Sequence, residues 1–294
     1  MDRIDSRLVD MNERLERLQT AVGQLESAQP RNGSRLSDHE YQVFSQWGED
    51  GIVEYLVKEV NVRSKTFIEF GIEDYRESNT RFLLIHRNWK GLVFDPNPEN
   101  IARLRRSTIC WRHGLRAVTA FITADNINSL IREQGIAGEI GLLSIDIDGN
   151  DYWVWQAIET VNPEIVVIEY NHRFGPELAV TIPYDEAFQR GKQHPIIYFG
   201  ASLRALVLLG QSKGYAFVGC NSNGVNAFFV RRDRLPEGVP ELTVNEGYVA
   251  GTFSEIRDEQ GLFVPPVAEE EHRVVTSLPL VDVSTELSAR VSTL

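Results

Sequence analysis

The segment LLSIDIDGNDYWVW, residues 142 to 155, constrains this chain more than any other, because a short apolar run passes directly into three carboxylates and a glycine. Residues 165 to 172, IVVIEYNH, repeat the design and end in Glu169, Asn171 and His172. Runs of this length and composition read as buried strands, and the polar groups then collect where the strands finish. In open α/β sheets, ligands bind in the crevice at the carboxyl ends of the strands. Two such ends carrying Asp146, Asp148, Asp151, Glu169, Asn171 and His172 therefore point to a site. An oxygen-rich donor set with one imidazole suits Mg²⁺ or Mn²⁺.

From residue 44 onward, helical and strand patterns alternate, as in a mainly parallel sheet. Strands are expected at KTFIEFG, GLVFD, RAVTAFIT, 142–147 and EIVVIEY, with helices between them. YAFVGCN and VNAFFVRR follow, separated by a stretch holding Asn223-Gly224, a hairpin signal. Six strands joined by helices and a seventh joined by a hairpin describe a Rossmann-like, class I methyltransferase sheet whose last strand inserts antiparallel. The catalytic domain is expected over residues 41–235, with 236–294 forming a lid, an irregular packed extension or a partly disordered tail.

Ile4, Leu8, Met11, Leu15, Leu18, Val22 and Leu25 recur in alternating steps of four and three, the a/d seam of a coiled coil. A lone helix cannot bury so narrow a stripe. Residues 1–28 are expected to self-associate into a homo-oligomer, the alternative being a helix lying on the chain's own catalytic domain. QPRNGSRLSDHE, 29–40, reads as a linker.

With 42% hydrophobic residues in 294, the chain can bury a sizeable core. A net charge of −12 argues against a nucleic-acid partner, and RLRRS near residue 103 reads as a solvated helix face. No apolar run is long enough to span a bilayer, and MDRIDSRLVD lacks the core of a signal peptide. The expected location is cytoplasmic. Cys110 and Cys220 are too few for a disulfide framework or a zinc site.

FIEFG places Glu69 and Gly71 at a strand end, where glycine lets the backbone approach a ligand. A glycine-rich fingerprint would continue at 73 and 75, but the chain has Glu73 and Tyr75 there, so Gly71 could equally mark an ordinary turn. Acids at 69, 73 and 74 disfavour pyrophosphate and favour a cation such as S-adenosylmethionine. Asp95, at the end of the second strand, occupies a ribose-binding position, or else caps the helix that follows. Asp125 and Asn126 are candidates for adenine contact, with a helix N-cap as the other reading. Asp146 joins the cofactor candidates. Gln46, Glu49 and Asp50 in YQVFSQWGEDG read by spacing alone as a helix start with a solvated acidic turn. Asp146 and Asp148 can share one strand face while Ile145 and Ile147 enter the core. Asp148 or His172 could take a proton from a metal-activated hydroxyl.

SQWGEDGIVEYLV, FIEFG with ESNTRFLL, and SIDIDGND together resemble the FkbM-type S-adenosylmethionine-dependent methyltransferases over about residues 41 to 232. The acids closing the fourth and fifth strands are also similar to those of magnesium-dependent sugar O-methyltransferases. That resemblance implies methyl transfer to a sugar hydroxyl, with Asp148 as a metal ligand and a possible base and Glu169 as a second ligand; from this chain's own residues, Asn171 joins the candidate metal donors and Gln46 the candidate cofactor contacts. IEYNH departs from the paired acids of the latter group. Two other readings remain: a metal-dependent glycosyltransferase using Asp146 and Asp148, and a non-catalytic oligomeric scaffold.

Overall fold

A computed structural model describes residues 3–253, 256–257, 260–265 and 267–285, with side chains described from residue 11 onward. Helix α1 (Arg3–Ala28) precedes α2 (Glu49–Glu59), β1 (Thr66–Phe70), α3 (Arg81–Arg87), β2 (Lys90–Asp95), α4 (Pro98–Arg106), α5 (Thr108–Arg112) and β3 (Leu115–Thr119). Then come α6 (Ile127–Glu133), β4 (Gly138–Ile145), α7 (Asp151–Ala157), β5 (Val161–Glu169), α8 (Leu203–Ser212), β6 (Tyr215–Cys220) and β7 (Asn226–Arg231).

The seven strands lie in the order β3-β2-β1-β4-β5-β7-β6. β1 pairs in parallel with β2 and β4, and β4 with β5, whereas β7 runs antiparallel between β5 and β6. This is the expected class I methyltransferase sheet, with Gly224 at φ +71° in the turn between β6 and β7.

Strand alternation divides the core into two layers. Ile68, Leu143, Val166 and Ile168 pack with Tyr152, Trp155 and Leu206 on one face. Phe67, Leu142, Ile165 and Val167 pack with Ile52, Leu56, Leu83 and Ile101 on the other. Because both faces are covered, the strands read as continuous apolar runs, not as an alternating pattern.

The two segments flanking the expected catalytic domain both pack against it. Residues 29–40 are not a free spacer: Leu36 is buried and His39 stacks on Tyr55 with ring centroids 3.6 Å apart. The described part of 236–285 packs onto the body, adding α9 (Val244–Gly247) and α10 (Ala268–Thr276). Arg173 Nε donates to the Glu271 carboxylate at 2.7 Å, a pair buried on both sides. Tyr248 OH donates to the His172 carbonyl at 2.7 Å. Residues 254–255, 258–259, 266 and 286–294 of that segment lie outside the described residues. No described helix is long and apolar enough to cross a membrane.

Candidate active site

The strand order reverses between β1 and β4, so their carboxyl ends border a crevice. Gly71 closes β1 at φ +72°, and a Cβ there would sit 1.6 Å from the Asp146 carbonyl oxygen. Glycine is thus required by the close approach of two strand ends, beyond what an ordinary turn would demand. β4 ends at Ile145, and strand alternation stops with it. What brings Asp148 back toward Asp146 is a sharp turn, in which Asp148 adopts φ +57°. A non-glycine residue held there is strained, and such strain gathers at functional sites.

Asp151 is the acid spent on closing the turn between β4 and α7. Its carboxylate accepts from Ile147 N at 2.8 Å and Gly149 N at 2.9 Å, and burial pushes it up to about 6. The remaining acids, Asp146, Asp148 and Glu169, each place an oxygen within 4.8 Å of the others. Burial, followed by mutual repulsion, raises the carboxyls of Asp146 and Glu169 well above the usual range. Glu169 Oε2 is buried without a hydrogen-bond partner among the described residues. Arg190 supplies the nearby positive charge: Nη1 lies 2.5 Å from Asp148 Oδ1, and its guanidinium stacks 3.8 Å above the Phe199 ring.

Asn171, expected among the metal donors, is committed elsewhere. Its Nδ2 donates to the carbonyls of Ile197 and Phe199 at 2.8 and 3.1 Å, and its Oδ1 accepts from Arg173 N. It holds the segment carrying Phe199 instead of facing the acids. His172 does line the cleft, and its Nε2 is buried without a partner among the described residues. Burial, assisted by the Arg173 charge, lowers it from 6.5 to about 4, so the ring is neutral at pH 7.

Two adjoining cavities meet along Gly71, Asp146 and Asp148. The larger, about 510 Å³, is lined by Gln46, Trp47, Glu69, Glu169, His172, Arg190 and Phe253. The smaller, about 230 Å³, is walled by Phe94, Asp95, Phe121, Ile122, Ile147, Asn150 and Phe188. Asp95 borders this narrow slot while accepting from Glu73 N and Asn97 N at 2.8 Å, so it both shapes the turns and faces the cavity. Glu69 is less free than its position suggests. Its carboxylate accepts from Ser78 Oγ, Asn79 N and Thr80 Oγ1 at 2.5 to 2.8 Å, which fixes the loop into α3.

Asp125 and Asn126 do not line either cavity. Asn126 is used within its own turn, accepting from Thr123 N and donating to the Phe121 carbonyl, while Asp125 accepts from Tyr184 OH at 3.1 Å. Phe121 and Ile122, a few residues earlier, take the wall positions. The acidic turn of α2 is buried, not solvated. Asp50 Oδ2 accepts from the backbone N–H groups of Val43, Phe44 and Ser45 at 2.7 Å. Glu49 Oε1 accepts from Asn221 and Asn226 of the β6–β7 hairpin. These bonds shape the loop that presents Gln46 and Trp47 to the cleft, and burial pushes Asp50 up to about 6.

Arg190, Phe188 and Phe253 escaped the sequence reading. They lie on irregular segments whose packing is set by Asn171, Asn150 and the C-terminal extension, and local patterning carries no trace of that. Asn150 Nδ2, for instance, donates to the Asp185 carbonyl at 2.7 Å, and Phe188 lies against Gly149.

No protein-family model and no curated protein sequence matches this chain. Among solved structures it is similar to the N-terminal domain of EvdMO1 with SAH bound, at 10% identity and TM-score 0.42, over 63% of this chain and 80% of that one. It is also similar to an S-adenosylmethionine-dependent methyltransferase from Clostridium acetobutylicum, at 12% identity and TM-score 0.38, over 62% and 89% of the two chains. TehB from Haemophilus influenzae matches at 12% identity and TM-score 0.38, over 62% of each chain. At such identities and scores, what the cleft does has to be argued from its own residues.

Proposed function

We propose that this chain is an S-adenosylmethionine-dependent O-methyltransferase acting on a hydroxyl of a sugar, in a glycan or a glycosylated small molecule, with the help of a divalent cation. The observation that carries the reading is the meeting of the two cavities at Asp146 and Asp148, beside a Glu169 oxygen with no partner among the described residues and a neutral His172. A narrow, largely apolar slot edged by Asp95 suits an adenosine, and the acid-lined chamber beyond Gly71 suits a cationic sulfonium and ammonium better than a diphosphate.

Oxygens of Asp146, Asp148 and Glu169 fit Mg²⁺ or Mn²⁺ in number and hardness, and Asp148 would share its charge with Arg190 or release it. A cation so held would make a bound hydroxyl more acidic and orient it. His172 Nε2, neutral and without a partner among the described residues, is suited to receive the hydroxyl proton. The walls of the two adjoining cavities would position an acceptor hydroxyl against the methyl donor, and such positioning supplies much of the rate in two-reactant steps. Trp47 and Phe253, stacked with centroids 5.3 Å apart, offer an aromatic face that a sugar ring can cover.

The test is transfer of labelled methyl from S-adenosylmethionine to a panel of glycosides, with Mg²⁺ or with chelator, by wild type, Asp148→Asn and His172→Ala. Cation-dependent labelling of a hydroxyl, lost in both variants, is the expected result. Labelling confined to amines would remove the O-methyl assignment, and turnover of nucleotide sugars without labelling would replace methyl transfer with glycosyl transfer.

A further inference from the structure

The heptads of α1 are not used by the catalytic body. The helix lies along its own domain, but by the face opposite the seam. Gly23 is buried there, so close that a Cβ would meet Val43 Cγ2 at 2.5 Å and Phe82 Cε2 at 2.8 Å. Arg81 Nη2 donates to Glu16 Oε1 at 2.9 Å, and Ser27 Oγ lies 3.5 Å from His86 Nε2. Glu16, Gly23 and Ser27 occupy outer positions of the heptad. On the other side Met11, Leu15, Leu18, Val22 and Leu25 remain 53 to 66% exposed.

We infer that this exposed stripe packs against the same stripe of a second copy of the chain, forming a parallel two-stranded coiled coil that carries two catalytic bodies on its outer faces. Several observations select this occupant. A two-in-seven stripe is narrower than the face a helix buries on a globular surface and matches a coiled-coil seam. The helix has 26 residues, about 39 Å at 1.5 Å per residue, enough for all seven seam positions. A free helix of that length is marginal in water, but this one is already held by Gly23, Glu16 and Ser27, so less ordering is lost on pairing.

Charge sets the direction and the partner. Arg7 and Arg14 flank the seam on one side, and Asp5, Asn12, Gln19 and Glu26 on the other. A parallel pair brings Arg7 and Arg14 beside Asn12 and Gln19 of the second copy, whereas an antiparallel pair sets arginine flank against arginine flank. The net charge of −12 opposes an anionic lipid surface as the alternative cover. Arg81, which receives Glu16, also donates to the Tyr75 carbonyl and, through its backbone N–H, to Ser78 Oγ, the hydroxyl bonded to Glu69. The paired helices would therefore be mounted on the same loop that floors the cofactor chamber.

The experiment is light scattering coupled to gel filtration of the full chain at micromolar concentration, wild type against Leu15→Ser with Leu18→Ser, with thermal melting of both. These two side chains face solvent in the single chain, so the body should keep its fold. The expected result is a mass of two copies for wild type and at least tenfold weaker self-association for the double variant. In a Cys110→Ser background, Leu25→Cys should cross-link under mild oxidation, since Leu25 lies near one end of the seam and meets its own copy only in a parallel pair. A wild-type monomer, alone or bound to anionic vesicles, overturns the inference, as does a dimer indifferent to the substitutions or one in which Leu25→Cys does not cross-link. The readout is mass, so it stands or falls separately from methyl transfer.

Discussion

Replacing Gly71 with alanine tests whether the meeting of β1 and β4 builds the site. Two costs are superimposed at this position. An L-residue at φ +72° pays about 1–2 kcal/mol for the left-handed conformation. The new Cβ also stands 1.6 Å from the Asp146 carbonyl oxygen, a contact that must open to at least 3.0 Å. Neither atom belongs to a flexible side chain, so the β4 end has to move, carrying Asp146 and Asp148 with it. Gly135→Ala isolates the first cost, because Gly135 has φ +71° and an added Cβ would meet nothing within 4 Å. Chemical denaturation should thus show about 1–2 kcal/mol lost for Gly135→Ala and more than about 4 kcal/mol for Gly71→Ala, the range reserved for core disruption. Calorimetric titration should find S-adenosylhomocysteine binding intact in the first variant and abolished in the second. Equal stability losses, or unchanged binding in Gly71→Ala, would refute the steric reasoning.

Three further outcomes follow from the same geometry. His172 has a folded-state pKa of about 4 against 6.5 when unfolded, so its contribution to stability is complete above pH 6.5 and is lost as pH falls toward 4. The loss approaches about 3 kcal/mol, read as the stability difference between wild type and His172→Gln across that window; a constant difference would contradict it. At the opposite end of the sheet, buried Glu164 accepts from Arg63 N at 2.8 Å, Ser64 N at 3.2 Å and Arg234 Nε at 2.7 Å. Glu164→Ala should cost about 3–5 kcal/mol in denaturant unfolding while leaving S-adenosylhomocysteine affinity within twofold of wild type. Finally, Mn²⁺ binding followed by electron paramagnetic resonance should weaken about tenfold or more in Glu169→Gln, which replaces one of the three clustered carboxylates; an unchanged affinity would contradict it.

The sheet was legible because its signals are local. Parallel strands covered on both faces read as apolar runs, and Asn223-Gly224 marked the turn that puts β7 antiparallel. Asp146, Asp148, Glu169 and His172 were legible as strand-end polar groups, and the structure gathers them around one cleft. What sequence periodicity misjudged were acids whose partners lie far along the chain. Glu49 is bonded to Asn221 and Asn226, over 170 residues away, so a helix start that looks solvated is buried. Asn171 looks like a metal donor from its place two residues after Glu169, yet the segment at 197–199 claims its amide. Arg190 carries no motif at all and reaches Asp148 only through the path of an irregular loop.

The most direct test of the central claim is a calorimetric titration of S-adenosylhomocysteine into the full chain and into Asp95→Ala, with melting curves confirming that both are folded. Wild type should bind one ligand per chain saturably, and the variant, whose slot loses its polar edge, at least tenfold more weakly. Absence of binding to folded wild type, or equal affinity in Asp95→Ala, would contradict it.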